Sequence, residues 1–312
     1  MARAFDLMVI GEINPDLILQ GPDIQPAFGQ AEKLVEHAEL VIGSSAVIVA
    51  CGAARLGLKT AFIGVVGDDV FGQFMLKAMA EKGIDTQYCQ VSASQPTGFS
   101  VILSQPQDRA ILTYAGSISA LKRSDIDLTM LKDARHLHLS SFFLLDALRP
   151  DIPGLFREAK NLGLSTSLDT NWDPGGSWDD GLFETLTYTD VFLPNQEELL
   201  RIAQEQELEP ALSKLSQRVP TLAVKLGAKG GLARQGNEGA RAGILPLKVV
   251  DTTGAGDSFD AGFLYAYLQG WTLEKSLQFA CACGSLSTRE VGGTGAQPSL
   301  EEALEALDRL QV

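Results

Sequence analysis

Apolar positions along the chain follow two alternating rhythms. Short runs with little polar interruption at Leu7–Gly11, Thr60–Val66, His136–Leu139, Leu164–Asp169, Val191–Pro194 and Thr221–Leu226 read as strands buried on both faces. Between them, apolar residues recur at helical spacing. After Ser44 or Ser45 as a cap, Ala46, Val49, Ala50, Ala53 and Ala54 form one stripe, which Gly57 stops. Asp68 or Asp69 caps a second helix that turns Phe71, Phe74, Met75, Ala78 and Met79 inward and ends at Lys82-Gly83. At the far end, Ser299 and Glu302 make a capping box before the stripe Leu300, Ala303, Leu304, Leu307 and Leu310. No period of 20 to 50 residues repeats. Strand–helix units in series predict an α/β fold, a mostly parallel sheet flanked by helices, in one domain spanning 1–312.

Two segments depart from that rhythm. Residues 13–42 hold Pro, Gly and short alternating runs. Residues 97–114 read as a hairpin, Phe99–Leu103 and Ala110–Tyr114 about a turn at Pro106–Asp108. Both predict a small β-sheet beside the main body, either a lid over a site or a cover for a sheet edge.

Composition narrows the function. The 312 residues are 45% apolar and 21% charged, ordinary for a globular protein. Lys plus Arg number 25 against 39 Asp plus Glu, a net charge of −14, which repels phosphate backbones and anionic lipid. Nucleic acid and membrane are therefore poor partners, and any anionic ligand needs focused donors. No apolar run reaches the roughly 20 residues of a membrane helix, and Met1–Gly11 lacks a secretory pattern. Cys51, Cys89, Cys281 and Cys283 have no paired spacing, and three histidines (His37, His136, His138) are too few for a typical zinc site. The expectation is a cytoplasmic protein with reduced thiols.

The chemistry concentrates in Asp251-Thr252-Thr253-Gly254-Ala255-Gly256-Asp257-Ser258-Phe259-Asp260-Ala261-Gly262-Phe263. A strand is expected before it, at Leu245–Val250, and an apolar-periodic helix after it. Small residues at a helix N-terminus let a phosphate approach the backbone, where the amides of 254–257 and the helix dipole favour negative charge. Asp257 falls in that first turn. A carboxylate beside a phosphate repels it, so its natural role is to take a proton from a hydroxyl attacking phosphorus. The plainer alternative is an acidic first turn after a glycine bend.

The thirteen-residue stretch resembles the C-terminal signature of the ribokinase-type (PfkB) carbohydrate kinase family, D-T-x-G-A-G-D-x-F-x-x-G, at every fixed position. The resemblance continues through Gly11, Asn14 and Asp16; Gly43-Ser44-Ser45 to Gly57; Gly64 to Gly72; Asn195-Gln196-Glu197-Glu198; and Lys225-Leu226-Gly227-Ala228-Lys229-Gly230. It implies a ribokinase-like fold and an ATP-dependent kinase of a small sugar or sugar-like alcohol. Asn14, Asp16, Gly43 and Ser45 would hold the acceptor and Asp257 would be the base. Gly254, Ala255 and Gly256 would stabilise the transferred group. Asn195, Lys225, Gly227, Gly230 and Thr252 would meet the nucleotide phosphates, and Cys281 would lie by the adenine. Magnesium is implied near Asn195 and Glu198, and potassium near Asp251, Thr253 and the loop Thr288–Gly293. The family's lids also imply a homodimer.

Without the resemblance, Asn195 and Glu198 form a capping box and Lys225 could reach solvent from a strand end. Departures from the family bear on the acceptor. Ser44 and Ile48 stand where a glycine and an asparagine are usual, Ser140-Ser141 where the ribokinase branch has a glutamate, and Cys281 where an asparagine is usual. Asp169-Thr170-Asn171-Trp172-Asp173-Pro174 resembles a segment of fructokinase-like and ketodeoxygluconate-kinase-like members. The rival readings are a nucleoside kinase of the same fold and a non-catalytic sensor. A Rossmann dehydrogenase is disfavoured, since the turn after the first strand reads Gly11-Glu12-Ile13-Asn14.

Overall fold

The computed structural model describes residues 3–105 and 109–310; the turn expected at Pro106–Asp108 lies outside them. Strands and helices alternate from the start. The first third holds β1 (Phe5–Ile10), β2 (Pro15–Gln20), β3 (His37–Ile42), α1 (Ser45–Arg55), β4 (Thr60–Gly67), α2 (Val70–Glu81), β5 (Asp85–Ser92), β6 (Phe99–Ser104) and β7 (Arg109–Tyr114). The middle holds α3 (Leu128–Lys132), β8 (Ala134–Leu139), α4 (Ile152–Asn161), β9 (Ser165–Leu168), α5 (Leu182–Leu186), β10 (Val191–Phe192), α6 (Gln196–Ala203), α7 (Leu208–Leu215) and β11 (Thr221–Lys225). The last part holds β12 (Gly231–Gln235), β13 (Glu238–Ala242), α8 (Ala255–Leu268), α9 (Leu273–Ser287) and α10 (Leu300–Ala306).

Nine strands form the main sheet in the order β13-β12-β11-β10-β9-β8-β1-β4-β5. From β11 to β5 every pairing is parallel; the β12–β13 hairpin closes one edge antiparallel. Side chains alternate across a strand, and β1 displays the outcome. Met8 and Ile10 pack on the face covered by α4, α6 and α7, while Leu7 and Val9 pack on the face covered by α1, α2, α8 and α9. Both faces are buried, which is why these strands read as continuous apolar runs. Parallel strands put their carboxyl ends at one rim, where ligand sites of such sheets sit.

The departing segments form a second sheet, β3-β2-β6-β7, with β2 and β6 parallel and the outer pairs antiparallel. Its roots are pinned to the body. Asp69 caps α2 through the Gly72 amide (2.9 Å) and also accepts from the Thr97 amide (2.7 Å), while the Thr97 hydroxyl accepts from the Gly67 amide (2.8 Å). Of the alternative caps, Ser44 and Asp69 are the ones used.

Two expectations need correction, and three strands were not expected. Leu245–Val250 is not a strand: Pro246 interrupts it and no strand pairs with it, so it runs as irregular chain with Val249 and Val250 exposed. The last helix is capped by Ser299 and Glu302 as expected, but it ends at Ala306 and turns Leu304 to solvent, with Ala306 buried instead. Strand β5 and the β12–β13 hairpin carry no strong apolar run, and they appear here as sheet edges.

Candidate active site

A cavity of about 480 Å³ opens at the carboxyl rim of the main sheet. Its polar floor brings together Asp169 after β9, Asn195 after β10, Lys225 at the end of β11, and Asp257 in the first turn of α8. Asp169, Asn195 and Lys225 converge because each stands at the carboxyl end of a parallel strand, and the irregular chain after β13 brings the start of α8 to the same rim.

Gly254 caps α8 at φ 71°, a left-handed conformation that favours glycine, and a Cβ there would lie 2.6 Å from the Gly293 Cα. The bend sets the N-terminus of α8 against the cavity. The Ala255 amide is engaged within the loop, donating to the Thr252 carbonyl at 3.2 Å. Asp257 Oδ1 accepts from the Ser45 hydroxyl at 2.5 Å. Burial pushes its pKa up to about 7; Asp169 and Glu12 add to the rise, opposed by Ser45 and Lys225. A carboxylate in that range is matched to accepting a proton near neutral pH.

Ser45 opens α1, so Asp257 and Ser45 hold the first turns of two packed helices together. Gln297, buried, fastens the pair, donating to the Ile48 carbonyl (2.9 Å) and the Ser258 hydroxyl (3.1 Å). Ile48 packs on Gly254 and Gly293, so an apolar side chain backs the loop at this family-divergent position. Ser44 sits at φ 68°, which explains the usual glycine at this place. Here the hydroxyl stabilises the turn, donating to the Glu12 carbonyl at 2.6 Å while accepting from the Val47 amide at 3.0 Å. Ser141 and Asn171, both at strand ends on the rim, also have positive φ (each 58°), and the Asn171 amide donates to the Ser141 hydroxyl at 3.2 Å. Strained residues cluster at this rim.

Lys225 turns inward from the strand end, into the cavity floor. Its ammonium donates to Asp260 Oδ2 at 2.9 Å and Asp169 Oδ2 at 3.2 Å, and these partners keep it protonated despite burial. Asp169 is raised by burial but held below its ordinary value by Lys225, whereas burial pushes Asp260 well up. Asn195 and Glu198 are the expected reciprocal cap of α6, at 3.0 and 2.8 Å. Burial, with Asp169 nearby, pushes Glu198 up to about 7. Oxygen donors from Asn195, Glu198 and Asp169 share one cavity, a donor set that suits a hard divalent cation keeping several waters.

The remaining expected residues fall in three places. Gly227, Gly230, Thr252 and Cys281 line the same cavity. Cys281 presents a neutral thiol, its pKa pushed to about 12 by burial. The irregular chain at 244–249, overlapping the expected strand Leu245–Val250, supplies apolar wall through Ile244, Leu245, Leu247 and Val249. Asn14, Asp16 and Gly43 lie outside that cavity, where β2 and β3 of the small sheet join the body. Asp16 is buried and pushed up to about 6 by burial, with Ser100 hydrogen-bonding its carboxylate. Gly43 is required beside it, because a Cβ would stand 2.3 Å from Asp16 Oδ1. Asp251 closes the motif loop through the Thr253 and Gly292 amides, each at 2.9 Å. The Thr253 hydroxyl donates to Asp251 and accepts from Arg109 of β7 at 2.7 Å. A guanidinium thus stands at these oxygens, a poor fit for potassium at the same place.

Residues 4–300 match the family model described as pfkB family carbohydrate kinase. The chain belongs to that family and is a carbohydrate kinase. It is 29% identical over 314 residues to a ribokinase of Haemophilus influenzae, covering 97% of this chain and 98% of the relative. It is 27% identical over 287 residues to a 5-dehydro-2-deoxygluconokinase of Geobacillus thermodenitrificans, covering 86% and 85%. The structure of Arabidopsis thaliana ribokinase complexed with ribose and ATP superposes with a TM-score of 0.81 at 25% identity, covering 98% of this chain and 99% of that one. The ribokinase-like fold expected from the motifs is therefore present. Glu12 and Asp260 carry no role in the sequence reading, while Asp169, Asn171 and Ser141 enter it only through segments that resemble or depart from the family, without a stated role. Asp260 was within reach, since it stands three residues after Asp257 and so on the same helix face.

Proposed function

We propose that the protein transfers the γ-phosphoryl group of ATP to a hydroxyl of a small sugar or sugar-like alcohol, with Asp257 as general base. The observation that carries this is the placing of Asp257 on the α8 first turn, desolvated, aligned by Ser45, at the junction of the cavity and the small sheet. The acceptor rests against Asn14, Asp16 and Gly43, reaching the carboxylate beside Ser45. The phosphates lie along the open first turn of α8, near Thr252, Lys225, Gly227 and Gly230, and the adenine lies against the apolar wall near Cys281. Asn195 and Glu198 would hold magnesium through its waters. That ion, when bound, would neutralise phosphate charge. The Asp257 carboxylate takes the acceptor's proton as its oxygen bonds to phosphorus and the bond to the ADP oxygen breaks.

The two relatives described above carry different names, a ribokinase and a 5-dehydro-2-deoxygluconokinase. Ile48, Ser140 and Ser141 favour an acceptor other than ribose. ADP release should be measured with magnesium ATP across sugars, sugar acids, polyols and nucleosides. One acceptor is expected well above background, and Asp257→Asn should lower its turnover by about 10²–10⁴-fold. Near-normal turnover in that variant removes Asp257 as the base. The partner reading extends to a second copy: edge strand β7 exposes Ile111, Leu112 and Tyr114, and we read the small sheet as the pairing face of a homodimer.

A further inference from the structure

Two aspartates one helical turn apart on α8 have divided partners. Asp257 Oδ1 takes the Ser45 hydroxyl, while Asp260 Oδ2 takes the Lys225 ammonium. Carboxylate oxygens of Asp169, Asp257 and Asp260 lie within 4.8 Å of one another, so a lysine entering this group could pair with any of them. Its stem runs beneath the anion loop, where a Cβ on Gly256 would be 3.4 Å from the Lys225 Cδ and 3.9 Å from Nζ. Lys has a long, rotatable stem, and nothing in its own chemistry fixes the ammonium at one carboxylate. Asp260 is fully buried, and its Oδ1 has no hydrogen-bond partner among the described residues. A helix position facing packed neighbours would ordinarily be apolar, and a half-satisfied carboxylate there weakens the fold.

We propose that Asp260 is a positioning residue: with Asp169 it anchors the Lys225 ammonium beneath the first turn of α8 and keeps it off Asp257. Asp257 then stays open to the acceptor hydroxyl, and the positive charge stands where the transferred phosphoryl group develops charge. This rests on the reading of Asp257 as base and Lys225 as a phosphate contact.

The test compares Asp260→Ala, Asp260→Asn, Lys225→Met and the double variants. Turnover is counted per folded site by bound nucleotide, and melting is followed separately. Lys225→Met should lower kcat on the order of 10²-fold, like the loss of one preorganised donor. Asp260→Ala should approach that loss, with the acceptor KM little changed, because a misplaced group is costly even when nothing touching the acceptor is removed. Asp260→Asn, which keeps an acceptor oxygen, should recover most of it. Combining Asp260→Ala with Lys225→Met should cost no more than Lys225→Met alone. Where the alanine variant does not fold, Asp260→Leu with Lys225→Met replaces the pair by apolar groups, and its kcat should equal that of Lys225→Met. Wild-type kcat per site in Asp260→Ala, equal losses in Asp260→Ala and Asp260→Asn, or any further loss on the Lys225→Met background overturns the proposal. Asp257→Asn runs alongside. Near-normal turnover there would sink the underlying reading, whereas an inactive Asp257→Asn with an unaffected Asp260→Ala sinks this inference alone.

Discussion

Asp257 carries a stability cost that its proposed chemistry explains. Its pKa rises from 3.8 to about 7 on folding, so the folded protein binds the proton more tightly than the unfolded chain does. The resulting stabilisation is complete below the unfolded value and is lost as pH rises through about 7. Asp257→Asn should therefore raise stability by roughly 1–3 kcal/mol at pH 8 and add little at pH 4, read as Tm in the two buffers. Catalysis runs the opposite way. If Asp257 is the base, kcat/KM should fall as pH drops through about 7, and a profile flat from pH 8 to 5.5 would count against it. Asp257 was legible in the sequence because its neighbours 251–263 are fixed by close approaches that only small residues allow. Asp260 was less so: its meaning depends on Lys225, 35 residues away, and on which carboxylate that ammonium meets. Ser44 was legible as a departure; its backbone angle accounts for the usual glycine, and its hydroxyl's cap hydrogen bonds account for the serine.

At the scale of elements, end signals translated well. Capping boxes at Asn195–Glu198 and Ser299–Glu302 are local hydrogen-bond pairs and formed as expected. Leu245–Val250 misled because apolar content marks burial or contact, not pairing, and this stretch spends its side chains on a cavity wall. Strand β5 was hidden because none of its residues is fully buried. Strands β8 and β9 hold a feature that periodicity misses. His136 bridges the Ser165 and Ser167 hydroxyls (2.7 Å each), and His138 bridges Ser167 and Ser140, the residue just past β8 (2.7 and 2.8 Å). Both imidazoles are buried and kept neutral; burial lowers the His138 pKa to about 4. A depressed histidine contributes stability above its unfolded value near 6.5 that is lost as pH falls toward 4. His138→Gln should flatten this acid limb by roughly 2–3 kcal/mol, measured as Tm against pH from 7 to 4.5.

The whole molecule divides its labour between a body and a small sheet. The parallel sheet was readable from strand–helix alternation, and the small sheet from the segments that broke it. Its strand order was not readable, since β2 pairs with β6 across some eighty residues of intervening chain. The proposed homodimer belongs to this scale. Sedimentation should give twice the 33.4 kDa chain mass, and Leu112→Glu on the exposed edge strand should return it to the monomer. A wild-type monomer at micromolar concentration would remove the pairing face.

The body and the small sheet meet at identifiable points, among them Gly67 and Asp69 to Thr97, the ring of Phe71 to that of Phe99, and Arg109 to Thr253. On the proposed function, the two inserted segments are close to a cassette, and the residues proposed to handle the phosphoryl group lie on the body. Grafting residues 13–42 and 97–114 from a relative with another acceptor, keeping the residues at those junctions, should move acceptor choice while the nucleotide end stays native. A lineage could then acquire new substrates by rewriting some fifty residues, without reopening the chemistry at the helix N-terminus.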